Sequence, residues 1–413
     1  MQTNETADVN PVEPAAEPTD VKTADSSAAA TAAPRPKNRR RLIFLLVFLL
    51  ALLSVLGEEA ARRAAAVKTT GEEGAFAYET EGFSATITGL LDKTATEAVV
   101  PEKIGGRRVT KIGAAAFSDC ASLTEIKLPQ GIREIGSNAF DGCAALKTIT
   151  LPANLETLRS GFDGCSALTE IVVAPNGKAF RSVDGVLFSV DGRTLICYPL
   201  GKTATEYAIP DGTERVAASA FRDCASLAAI TFPASVRELG GEAFLGCAAL
   251  RSVALPDGLA TIPSSAFLGC SALAEVKFPE GLKLIAPHAF IGCESLTSVA
   301  LPDGLELVGD DAFEACVSLT EVAFPKGLKT VDSGAFGGCV ALKTVVLPDG
   351  VQTIGADAFF GCGALTSVEI PASVETIGSR AFFGCAPDLT LRGAAGSFAE
   401  EYAAENALRF EVR

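Results

Sequence analysis

The 413-residue chain has little of what enzymes most often use near neutral pH. It contains one histidine (His288), no tryptophan and one methionine. Histidine is the side chain best suited to proton transfer there. A chain with a single imidazole therefore has scant means for Ser/His/Asp or Cys/His chemistry. Positive charge is also short. Lys and Arg number 35 against 50 Asp and Glu, and from residue 70 onward 26 against 42. Such an acidic body is unsuited to a phosphate backbone, which needs a basic surface, so nucleic acid is not an expected partner. The segment Gly201-Lys202-Thr203 lacks the upstream glycine of a phosphate-binding loop. No metal-ligand cluster is evident, and no cofactor is expected.

Long hydrophobic runs are also missing, with one exception. Residues 1–41 are polar and non-periodic, and read as a disordered leader. The leader ends on Arg35, Lys37, Arg39, Arg40 and Arg41. LIFLLVFLLALLSVLG follows at 42–57, with 15 residues before its glycine. A membrane span asks for about 20 apolar residues and a signal-peptide core for about 7–15. Two readings stay open. The first is an uncleaved single-pass anchor, with the N-terminus cytoplasmic and the rest extracellular. The second is a cleaved signal and a secreted body. Residues 58–75 read as a linker.

What fills the rest is a repeat. Cys224, Cys247, Cys270, Cys293, Cys316, Cys339, Cys362 and Cys385 recur every 23 residues. Aligning on Phe-x-x-Cys gives eleven units, for example GLATIPSSAFLGCSALAEVKFPE at 258–280. The third unit, from Leu155, lacks one residue before Phe162. Each unit alternates like a strand around Val276 and Phe278, then turns at Pro279 and Gly281. One such unit cannot bury its own apolar face, whereas stacked units can. The predicted fold is a repeat solenoid of 23-residue leucine-rich units. A curved parallel β-sheet runs along one side, with short strands or 3-10 turns on the other. The phenylalanines at one phase, from Phe117 to Phe382, predict an aromatic core spine. Between Ala174 and Gly212 the period breaks. Asp184-Gly185 and Asp191-Gly192 beside apolar alternation predict a β-hairpin insertion. The expected order is an N-terminal cap at 76–108, repeats 1–3 at 109–173, the insertion at 174–212, repeats 4–11 at 213–393 and a C-terminal cap at 394–413.

These units, with their L-x-x-I-x-L-P and I-G-x-x-A-F-x-x-C pattern, resemble the leucine-rich repeats of BspA-like bacterial surface proteins. The likeness covers about residues 76–413. It implies an exported protein, a protein-binding role that in some members is adhesion, and no catalytic residues. A structural surface spacer without a specific ligand is the alternative.

Eleven of the twelve cysteines sit at one phase. Parallel side chains on stacked rungs would hold Cβ atoms about 5 Å apart, beyond the usual disulfide span, and a linear ladder offers no tetrahedral cage. They read as reduced, buried core residues. Two surfaces remain for a protein partner. The outward sheet positions include Glu125, Lys127, Glu275, Lys277 and Glu321, with no aromatic or Arg among them. The residue after each spine Phe forms a second column, in which Leu245, Leu268, Ile291, Phe360 and Phe383 replace the charged Asp141, Asp163 or Arg222 of other units. Exposed apolar stripes mark contact sites, so this column is a candidate surface for a protein partner or for self-association.

Overall fold

The computed structural model describes residues 68–413. The expected leader and the apolar segment at 42–57 lie outside the described residues. Among the described residues no helix is long and apolar enough to cross a membrane.

The repeat closes into a parallel β-solenoid with two strand ladders. One ladder is built of three- or four-residue strands that follow each repeat's Leu, such as Ser252–Ala254, Glu275–Lys277 and Ser298–Ala300. Adjacent strands pair in parallel at an offset of one repeat, so Val253 faces Val276 and Val345 faces Val368. The other ladder is built of two-residue strands before each spine Phe. Ile285 pairs with Val308 there, and Ile354 with Ile377. The sequence expects the second side as short strands or 3-10 turns, and short strands with turns are what form. Alternation decides which side chains enter. In Glu321–Ala323 the flanking residues are exposed and Val322 is buried, as a period of two requires.

The phenylalanine spine runs through the middle. Rings from Phe221 to Phe382 stack nearly parallel, with centroids 4.9–5.6 Å apart. The alanine before each ring is fully buried at Ala243, Ala266 and Ala289, and leaves room for the neighbouring turn. Phe278 and Phe324 lie edge-on against Phe290 and Phe336 at 5.8 and 5.4 Å. Such perpendicular pairs suit the ring quadrupole. Both ends of the spine are closed the same way. Phe76 meets Phe117 edge-on at 6.3 Å, and Tyr402 of helix α1 (Phe398–Glu405) meets Phe382 at 6.0 Å.

The termini of the solenoid differ from the sequence reading in one respect. Thr69–Glu73, expected in a linker, forms an edge strand paired antiparallel with Phe76–Glu81. At the other end Arg409–Val412 adds a parallel strand beyond Thr390–Gly393. The segment expected as the insertion supplies four strands, Phe180–Val183, Val186–Ser189, Thr194–Cys197 and Glu206–Ala208, the last paired in parallel with Ala229–Thr231. Asp184 and Gly185 make the first turn with φ of 50° and 77°, the positive values that two-residue hairpins need. The third strand then pairs in parallel with Arg215–Val216, which returns the chain to the solenoid.

Candidate contact surfaces

The column after the spine phenylalanines is brought together by main-chain bonds. Gly246 N–H donates to the Leu268 carbonyl at 2.8 Å, Gly269 N–H to Ile291 at 2.8 Å, and Gly361 N–H to Phe383 at 2.8 Å. Consecutive side chains therefore stand one turn apart. Leu245, Leu268 and Ile291 are half-buried. Glu314 and Gly337 interrupt the apolar run. Burial raises the Glu314 carboxyl above the usual range, with Asp311 beside it adding to the effect. Beyond them Phe360 is 37% exposed and Phe383 64%. Their rings stack at 5.9 Å.

Arg380, which the sequence reading missed, completes this patch. Its guanidinium carbon lies 5.0 Å from the Phe360 ring centre and 6.0 Å from that of Phe383. Its Nε donates to Asp357 Oδ1 at 2.9 Å. Asp357 and Arg380 occupy one phase in adjacent repeats, so the pairing of opposite charges was the signal available. An Arg held over two exposed rings combines the residue types that dominate protein-binding hot spots.

On the sheet face Glu125, Lys127, Glu275, Lys277 and Glu321 all point outward and are exposed. Lys127 Nζ and Glu125 Oε1 form an ion pair at 2.9 Å, a solvated contact of small energetic value.

The cysteine ladder is a feature of the interior. All twelve cysteines are free, and ten are fully buried. Burial pushes the thiols of Cys143, Cys165, Cys270 and Cys316 up to about 12. A nucleophile or metal ligand must be a thiolate, and these are held protonated. His288 Nδ1 lies 3.6 Å from Asp311 Oδ2 on the outer turn. Among the described residues no group of three metal-ligating side chains converges.

The BspA type leucine rich repeat region matches this chain in six copies over residues 101–188, 200–317 and 272–388. A leucine rich cell surface protein from Faecalibacterium prausnitzii A2-165 is similar in structure at 26% identity. That match covers 81% of this chain and 97% of the other, with a TM-score of 0.52. A leucine-rich repeat protein from Eubacterium ventriosum ATCC 27560 shares the fold at 22% identity and a TM-score of 0.52, over 77% of this chain and 95% of its own. No curated protein matches. The matched repeats span well over half of the chain, and with a 23-residue solenoid and its phenylalanine spine in place, the chain belongs to the BspA-type leucine-rich repeat family.

Proposed function

We propose that this protein is exported, is displayed at the cell surface and binds protein partners, in adhesion to proteins of a host or of neighbouring cells. The observation that carries the reading is the exposed Phe360–Phe383 pair under Arg380. It extends a column whose earlier members, Leu245, Leu268 and Ile291, are apolar and half-buried. The Faecalibacterium relative carries the description of a cell surface protein, which supports the same placement. The outward Glu125, Lys127, Glu275, Lys277 and Glu321 would add a broad, weakly charged contact along the sheet. Residues 42–57 would tether the protein as a single-pass anchor or direct its secretion by cleavage. Self-association through the apolar column is one form the contact could take.

The test is a binding screen of the full chain against cell-surface and matrix proteins. Phe360→Asp/Phe383→Asp and Leu268→Asp/Ile291→Asp are measured alongside, with oligomer size. Saturable binding that both double variants reduce is the expected result. Unchanged binding by variants with unaltered thermal melting would remove the column from the contact. No saturable binding at all would favour a surface spacer. Mass spectrometry of the mature N-terminus separates anchor from cleaved signal.

A further inference from the structure

The solenoid is interrupted once along its length, between repeat 3 and the insertion. At the other junctions between turns at least one of the two strand ladders continues. Here both lapse among the described residues. No pairing joins Thr157–Leu158 to Thr194–Cys197, and none joins Glu170–Val173 to Glu206–Ala208. The aromatic stack breaks at the same place. Phe162 stacks on Phe140 at 5.7 Å. The following ring is Tyr198, which stacks forward on Phe221 at 5.1 Å. Tyr198 is a true member of the spine. Its N–H donates to the Ala220 carbonyl at 2.8 Å, as Phe221 N–H donates to Ala243 at 2.8 Å. Among the described residues Phe162 makes neither this main-chain bond nor a ring stack toward Tyr198.

Chain length explains the gap. In regular repeats five residues run from the short-strand position to the spine ring, as from Val216 to Phe221. Leu195 pairs with Val216, yet reaches Tyr198 in three. Leu158 pairs with Ile135 and reaches Phe162 in four. The residues missing from the corner leave a cleft of about 60 Å³, lined on one side by Leu158, Ser160 and Phe162 and on the other by Ile196, Tyr198 and Leu200. Where other turns set ring on ring, this corner forfeits those contacts.

The buried core divides there as well. One cluster runs from Phe76 to Phe162 and the other from Tyr198 to Tyr402. The strand Val186–Ser189 stands between them with both faces covered. Its alternation sends Leu187 into the first core and Val186 and Phe188 into the second, as a period of two requires. The hairpin is tied to repeat 3 by Ile171 N–H, which donates to the Gly185 carbonyl at 2.9 Å. Ser182 Oγ donates to the Ile171 carbonyl at 2.7 Å and accepts the Val173 N–H at 2.8 Å. Gly201 N–H donates to the Leu168 carbonyl at 2.7 Å. Across the outer turn Arg222 Nε lies 4.0 Å from Asp163 Oδ2, a partly solvated pair of small energetic value.

In a repeat array each turn is stabilised through its neighbours, so cooperativity ends where a neighbour interface weakens. We propose that the solenoid is two cooperative units joined at the insertion, and that the first opens while the second stays folded. The first unit is the N-terminal cap with repeats 1–3. The second is repeats 4–11 with the C-terminal cap, and Tyr198 begins its spine. Three repeats bury less core than eight, so the first unit is the less stable. The Phe360–Phe383 patch lies wholly on the second unit, and opening of the first leaves that surface intact. The joint stands or falls independently of the function proposed for the patch.

Hydrogen exchange of the full chain, read by mass spectrometry across a urea series, tests the proposal. Peptides from 76–173 are expected to lose protection together, at a lower urea concentration than peptides from 198–391, with the boundary inside the insertion. The hairpin supplies the sharper test, because neighbours in one strand belong to different units. Leu187→Ala should move the first step to lower urea and leave the second in place. Phe188→Ala should move the second step to lower urea and leave the first in place. Leu187→Val and Phe188→Leu replace them where an alanine variant fails to fold. A single step shared by both segments, protection lost turn by turn with no boundary, a boundary elsewhere in the solenoid, or Leu187 and Phe188 variants that move the same step would each overturn it.

Discussion

Cys270 Sγ lies 3.2 Å from the carbonyl oxygen of Phe244, the spine residue of the turn before it. The same thiol-to-carbonyl contact recurs at Cys143 to Phe117, Cys247 to Phe221 and Cys362 to Phe336. The acceptor is already engaged within its own turn, since Cys247 N–H donates to Phe244 at 3.2 Å. The thiol therefore adds a second, inter-turn bond to a satisfied carbonyl while filling a buried position. Cys270→Ala leaves no orphaned polar group. It removes a weak donor and opens a small cavity, for a loss of about 1–2 kcal/mol. Chemical denaturation of the variant measures it, and a loss near zero would mean the thiol only fills space left by its neighbours.

Alkaline stability follows from the same ladder. An ordinary thiol ionises near 9, while burial holds those of Cys143, Cys165, Cys224, Cys270 and Cys316 up to about 12. Between these values the unfolded chain loses thiol protons that the folded chain keeps. Fewer protons bound in the unfolded state means stability falls as pH rises. The contribution is complete below about pH 9 and is lost progressively toward pH 12. Each such cysteine steepens the slope by up to about 1.4 kcal/mol per pH unit. Melting curves from pH 7 to 11 should show this limb, and a Cys270→Ala/Cys316→Ala double variant should flatten it.

The spine should not respond uniformly to truncation. Phe290 lies between Phe267 at 5.2 Å and Phe313 at 5.1 Å, with Phe278 edge-on. Phe290→Ala should cost about 3–5 kcal/mol, as for other fully packed rings. Phe162 has one stacked neighbour and borders the cleft, so its cavity can drain into existing space and Phe162→Ala should cost less. Because repeats contact only their neighbours, hydrogen exchange should quicken around Phe290 and stay unchanged at the far repeats. Equal costs at both rings would show that the stack does not break at Phe162.

These features were unequally legible in the sequence. The 23-residue spacing of Phe and Cys states the fold directly, because every turn must place the same residue in the same core position. The column of Leu245, Leu268 and Ile291 was readable for the same reason. Tyr198 was not readable. It joins the spine from a segment with no Phe-x-x-Cys, and its phase shows only in tertiary contacts: the parallel pairing of Leu195 with Val216, the stack on Phe221 and the N–H bond to Ala220. The cleft beside it depends on counting residues between paired strands, and the pairing is a tertiary fact. For Arg380 the sequence offered a hint of pairing with Asp357, 23 residues earlier, but its place over Phe360 and Phe383 comes only from the local fold of the outer turn.

The turn after each spine ring carries the last prediction. Gly246, Gly269, Gly292 and Gly338 occupy one phase with φ of 68–73°, and Ala315 stands among them at 56°. The left-handed region costs a residue with a Cβ roughly 1–2 kcal/mol, which exceeds the about 0.5–1 kcal/mol that glycine's extra chain freedom costs on folding. Ala315→Gly should therefore stabilise the protein by up to about 1 kcal/mol. The reverse changes should separate by space. At Gly269 an added Cβ would have its nearest neighbour 3.8 Å away, so only the backbone term applies. At Gly246 it would collide with Asp223 Oδ1, a carboxylate also paired with Arg222 at 3.6 Å. The melting temperatures should rank Ala315→Gly at or above the parent chain, then Gly269→Ala, then Gly246→Ala. A Gly246→Ala variant as stable as Gly269→Ala would show that the Asp223 side chain gives way freely and that its pairing with Arg222 does not hold it in place.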